Sequence, residues 1–170
     1  MIFLFVGAIF YSVHTRATAS RVNKKPPAYP CGIAFPGARG YINDFTHLFN
    51  AEQIFTLDSM ISLHEKKTTN QIAVITIDSA MLGKCSVDEY TLAIANEWGV
   101  GAKGKNNGVV IGIAPGMRKI SIQNGYGIEK LLSNEKTQVL LDSFFIPEFK
   151  QGNYYGGTRN GLAAIIKQLE

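Results

Sequence analysis

Gln71-Ile72-Ala73-Val74-Ile75-Thr76-Ile77 is a nearly continuous apolar run rich in β-branched residues, and Gly108-Val109-Val110-Ile111-Gly112-Ile113-Ala114 repeats its character further on. Short runs without polar alternation suit strands covered on both faces. Between them Ser86-Val87-Asp88-Glu89 has the form of a capping box, and Val87, Tyr90, Ile94 and Trp98 recur at helical spacing until Gly99 stops the helix. A strand, a helix and a second strand in that order predict two parallel strands joined by a right-handed crossover. Pro115-Gly116 then turns the chain into the alternating run Arg118-Lys119-Ile120-Ser121-Ile122-Gln123, so a third strand is expected to pair antiparallel with the second as a hairpin.

Working outward, Asn50 with Gln53 three positions on opens a predicted helix from Ala51 to Lys67, with Ile54, Leu57 and Ile61 on one face. Two further helices are expected after the hairpin. One runs from Asn134 to Glu148 with Pro147 marking its end, and the other from Thr158 to Leu169. The order describes an α/β protein, a three-layer α/β/α sandwich with a small mixed sheet flanked by helices, Rossmann-like in its layering. In such a sheet the loop Gly99 to Asn107 and the segment Asn124 to Glu129 leave at the same end. Both are polar and glycine-rich, which makes that end the leading candidate site.

Composition narrows the function classes. The 170 residues are 46% hydrophobic and 18% charged, which excludes a disordered or low-complexity chain and a multi-span membrane protein. Lys plus Arg number 17 against 13 Asp plus Glu, giving a net charge of +4, but the cations are dispersed. Without a basic surface interleaved with aromatics, nucleic acid is not the expected partner.

Met1 to Val13 is apolar with no charge before Arg16, shorter than the roughly 20 residues a membrane span needs and of signal-peptide core length. Ala17 and Ala19 supply a small-x-small cleavage site, so residues 1–19 are expected to be a signal peptide cleaved after Ala19, with no transmembrane segment remaining. A buried N-terminal strand and an uncleaved anchor are the alternatives. Residues 20–40, with Lys24-Lys25-Pro26-Pro27, Pro30 and Pro36, suit an extended tether. In an oxidising compartment the one possible intramolecular pairing is Cys31 with Cys85, two free thiols being the alternative. His14, His47 and His64 are scattered and give no zinc spacing.

Tyr41-Ile42-Asn43-Asp44-Phe45, Gln71-Ile72-Ala73-Val74, Ala95-Asn96-Glu97-Trp98-Gly99-Val100-Gly101, Gly104-Lys105-Asn106-Asn107-Gly108-Val109 and Gly125-Tyr126-Gly127-Ile128-Glu129, continued by Phe149-Lys150-Gln151-Gly152-Asn153-Tyr154, together resemble the TPM domain over residues 41–170. The resemblance implies an α/β/α sandwich of the kind found in exported bacterial and thylakoid-lumen proteins. Members of that family are linked to photosystem repair and assembly, some bind calcium, and a thylakoid member is described as a weak acid phosphatase. Many bacterial relatives continue into a transmembrane helix and a glycine-rich tail. Here the sequence stops at Glu170, and a free-standing soluble domain is expected.

Relatives commonly carry Asp where this chain has Asn106, and often an Asp near Ser133-Asn134, so the resemblance implies a calcium site with fewer carboxylates than usual. Calcium affinity falls as carboxylates give way to neutral oxygens. The candidate metal ligands are Asp44, Asn106, Asn107 and Glu129, with Asp78 a weaker addition, and any calcium is expected to be held weakly. Simpler roles stand beside these. Asp44 suits a loop cap, Glu129 suits a helix start, Gly125 and Gly127 suit turn conformations, and Trp98 suits the core. Lys103, Lys105 and Arg118 could hold phosphate charge, but no P-loop, nucleophile elbow or paired histidine accompanies them. The expected protein is therefore an exported periplasmic or extracellular accessory or interaction module, whose partner is an unidentified protein, a membrane-associated complex being one candidate. The alternative is a weak metal-assisted acid phosphatase acting on phosphomonoesters.

Overall fold

The computed structural model describes residues 30–170, so the expected signal peptide lies outside the described residues. In chain order the elements are β1 (Ile42–Asp44), α1 (Ala51–Thr68), β2 (Gln71–Thr76), α2 (Val87–Trp98), β3 (Gly108–Ala114), β4 (Lys119–Asn124), α3 (Asn134–Leu140), α4 (Ile146–Lys150) and α5 (Tyr154–Leu169). The four strands lie in the order β1-β2-β3-β4. The first three are parallel and β4 runs antiparallel to β3.

The strand, helix, strand unit and the hairpin are as the apolar runs predict, and both capping boxes close on their helices. β2 and β3 are buried almost throughout because both sheet faces are covered. On one face α1 and α5 seal a core built from Leu57, Ile61, Ile111, Phe145, Leu162 and Ile165. On the other, α2 presents Val87, Tyr90 and Ile94 to Ile75, Ile77 and Val110.

Residues 34–39 form neither helix nor strand, yet they lie against that second face. Cys31 is fully buried and bonded to Cys85. Phe35 packs edge-on against Tyr90, and the Trp98 indole N–H donates to Pro36 O at 2.8 Å. Trp98 is thus partly buried against the core, its N–H spent on the backbone of the incoming segment.

Three elements differ from their predicted form. β1 is absent from the predicted elements, because three residues carry too little pattern to register. The single helix predicted over Asn134–Glu148 is divided by a π-helical turn, Leu141–Phe145, and Pro147 opens α4 instead of ending a helix. Proline has no N–H to give the preceding turn, and its fixed φ suits a helix start. Finally, α5 begins at Tyr154, capped by Asn153, whose side chain accepts from the Gly156 N–H at 3.0 Å. Gly156 and Gly157 hide this first turn, and both are packing residues: a Cβ on Gly156 would strike the capping Asn153 side chain, and one on Gly157 would lie 2.6 Å from the Phe149 ring.

Candidate functional site

The loop that follows α2 and the segment that follows β4 meet at one end of the sheet, as the topology requires. Asn107 organises the first of them. Its buried carboxamide accepts from the Ala102 N–H at 2.8 Å and donates to Thr69 O at 2.8 Å and Asn70 Oδ1 at 3.2 Å. Asn106 adopts a left-handed φ of 49° and accepts the Gly127 N–H on its backbone oxygen at 3.0 Å.

Gly125 and Gly127 do not have the positive φ expected of turn glycines. They are glycine because the facing backbone presses on them: a Cβ on Gly125 would meet Asn106 O, and one on Gly127 would meet Lys105 O. Tyr126 is left between them with 80% of its surface exposed. Glu129 sits exposed in the hydrogen-bonded turns that follow and not at a helix start.

Asp44 lies at the other end of the sheet. It pairs with Thr76, the last residue of β2, whereas the Asn106 loop adjoins Gln71, the first. Five residues of strand separate those levels, roughly 16 Å at the usual rise. Its carboxylate is also engaged, accepting from the Leu48 N–H at 3.0 Å, the Phe49 N–H at 2.8 Å and the Thr76 hydroxyl at 2.7 Å. Asp78, after β2, caps the short turn Ser79–Met81 by accepting from the Ala80 N–H at 2.9 Å.

The structure therefore brings Asn106, Asn107 and the Glu129 segment to one end and leaves Asp44 out. With the Asn107 carboxamide already spent, Asn106 and Glu129 are the candidate ligands that still have side-chain oxygens to offer there. Among the described residues no three His, Cys, Asp or Glu side chains group closely enough to hold a metal ion. One carboxylate and one amide do not make the multi-oxygen cage that calcium requires for tight binding.

Two features are not legible in the sequence. Tyr41, Glu65 and Gln71 form a brace: the Tyr41 phenol donates to Glu65 at 2.6 Å, the Gln71 amide donates to Glu65 at 3.0 Å, and Gln71 Oε1 accepts the Gly101 N–H at 2.6 Å. The hydrogen bond to Glu65, helped by burial, holds the Tyr41 phenol above its ordinary pKa, so it stays protonated as a donor. The second is a cleft of about 710 Å³ beside β4, where Arg118, Lys119 and Lys150 meet Phe149, Tyr154 and Asp88. Arg118-Lys119 was visible as a charged strand start, but the approach of Lys150 is decided by helix packing.

A small mixed sheet between helical layers, with glycine-packed loops at one end, defines the class of compact α/β/α sandwich domains. Within that class the chain belongs to the TPM domain family, whose model matches residues 42–168.

The chain is similar to the solution structure of the N-terminal domain of a protein from P. gingivalis, at 26% identity and a TM-score of 0.69, covering 76% of this chain and 81% of that one. It shares the fold of the N-terminal domain of a Corynebacterium glutamicum protein, at 13% identity and a TM-score of 0.61, covering 81% and 84% of the two chains. The BA42 protein of the psychrophilic bacterium Bizionia argentinensis has the same fold at 21% identity and a TM-score of 0.62, covering 74% and 83%. No curated protein matches the chain.

Proposed function

We propose that this TPM domain is exported to the periplasm or cell exterior and works there as an accessory or interaction module, holding calcium at most weakly at the Asn106 edge. The observation that carries the reading is the separation of the acids. Asp44 is committed to three hydrogen bonds at one end of the sheet, and Glu129 stands exposed at the other. The metal-assisted phosphatase suggested by the sequence would use Asp44 and Glu129 together at one metal, and opposite ends of the sheet do not allow that.

Two further observations support the module. Tyr126 projects from a loop whose backbone is fixed by close glycine contacts, which suits recognition of a surface. The Cys31–Cys85 bond fits an oxidising compartment. Among the described residues no helix is long and apolar enough to cross a membrane.

Calorimetric titration with calcium and a phosphomonoester assay on wild type and Glu129→Ala test the reading. Expected are weak calcium heats and turnover no greater than buffer. Turnover that Glu129→Ala abolishes would overturn it in favour of the phosphatase.

A further inference from the structure

We propose that the outer edge of β4 is a docking site for an extended, acidic segment of a protein partner, which joins the sheet as an additional strand. The inference rests on the interaction role above and gives that role a surface and a partner chemistry.

The two edges of the sheet are built differently. At β1 the edge is only three residues long, and the Ile42 N–H donates to Asp58 of α1 at 3.0 Å. The edge at β4 is six residues long, and among the described residues no strand lies beyond it. Gly125 donates its N–H to Gly108 O, and an antiparallel ladder alternates. Lys119, Ser121 and Gln123 therefore bond toward β3, while Ile120 and Ile122 turn their N–H and C=O groups outward.

The cleft beside β4 reaches this edge at its first two residues, Lys119 and Ile120. One wall is Val87 and Asp88 of α2, on one side of the sheet; the other is Phe149 and Tyr154, on the opposite side; Lys119 and Ile120 lie between. The cavity thus touches both helical layers where β4 begins. An edge strand flanked by helices is the arrangement that accepts a peptide by strand addition, the backbone supplying affinity and alternate side chains supplying specificity.

Charge selects the occupant. Arg118, Lys119 and Lys150 are exposed at the cleft, Asp88 is its one acid, and the ion pair found among the described residues is Lys67–Glu170, elsewhere. A second copy would bring another Lys119 to the same basic edge, the usual device against edge-to-edge pairing. Residues 1–29 of the chain contain Arg16, Arg21, Lys24 and Lys25 and no acid, so they carry the wrong sign. Ile120 and Ile122 pack toward the layer of α4 and α5, and Lys119, one residue out of phase, faces the layer of α2. The segment that fits alternates apolar and acidic residues.

The test uses the ¹⁵N-labelled full chain, titrated with a short peptide of alternating glutamate and valine, with its lysine-for-glutamate counterpart and with inorganic phosphate. The glutamate peptide is expected to bind and to slow amide exchange at Ile120 and Ile122 by about tenfold or more. A Lys119→Glu variant, its fold checked by an unchanged amide spectrum away from β4, is expected to bind about tenfold more weakly. No binding, equal binding of the lysine peptide, or unslowed exchange at both edge amides would overturn the proposal, as would phosphate reproducing all of the peptide's shifts. Capture from the native host separates the two levels. Equal capture of one partner by wild type and variant overturns the docking site and leaves the interaction role standing, whereas no capture by either overturns the role itself.

Discussion

Asp44 and Thr76 face each other across the β1–β2 ladder, and the Thr76 hydroxyl donates to the Asp44 carboxylate at 2.7 Å while accepting the Thr46 N–H at 3.0 Å. This pair, with the Leu48 and Phe49 amides, fixes the turn that carries β1 into α1. A residue that sequence reasoning offers as a metal ligand is thus the hub of a loop.

Replacing that hub has a predictable cost. Asp44→Ala leaves two amides and a hydroxyl without their acceptor, and a loss of about 3 kcal/mol is expected from charge-assisted bonds left unmade. Asp44→Asn keeps one acceptor oxygen and loses less. Urea denaturation measures both, and an unchanged midpoint for the alanine variant would contradict the structural role.

The Cys31–Cys85 bond spans 54 residues and pins the entering segment over α2. Closing a loop of that length stabilises a fold by about 4 kcal/mol in the chain-entropy treatment. The Cys31→Ser/Cys85→Ser double variant should lose a comparable amount and loosen Phe35 from Tyr90. Thiol labelling offers a second check: alkylation of both cysteines in the unreduced native protein would exclude the bond.

Gly127→Ala probes the contact between the two loops. The added methyl group would press on Lys105 O, which belongs to backbone and yields little. A destabilisation of about 1–3 kcal/mol is expected, as for other overpacked sites. Amide shifts concentrated at residues 105–108 should accompany it; a variant with wild-type stability and spectrum would show that the loops do not bear on each other.

His64 sets the expected response to acid. It is buried on α1, with Nδ1 lacking a partner among the described residues and Nε2 3.2 Å from the Thr68 hydroxyl. Burial pushes its pKa below 6.5; Glu170 draws it back up and Lys67 adds to the depression. The unfolded chain then binds this proton more readily than the native one. The stability at stake is fully present above the unfolded value and is lost as pH falls through the depressed folded value. His64→Leu should flatten the slope of stability just below pH 6.5, and a slope unaltered by the substitution assigns the pH response to other groups.

Local sequence is enough for the central part of this fold. β2 and β3 are continuous apolar runs, α2 and β4 carry a local period, and the antiparallel hairpin then dictates that the Gly99–Asn107 loop before β3 and the Asn124–Glu129 segment after β4 share one end. Local pattern could not reveal β1, too short to have a period, or the first turn of α5, whose glycines disfavour a helix until Asn153 and Phe149 are packed against them. Nor could it place Asp44, because the level at which β1 enters the sheet is fixed by pairing with residues more than thirty positions away. The same holds for the cleft beside β4, where Asp88, Lys119 and Lys150 meet only because α2 and α4 pack on opposite faces of one strand. Periodicity records what each residue needs from its neighbours along the chain, whereas an edge left open between two helical layers comes into being only when those layers pack.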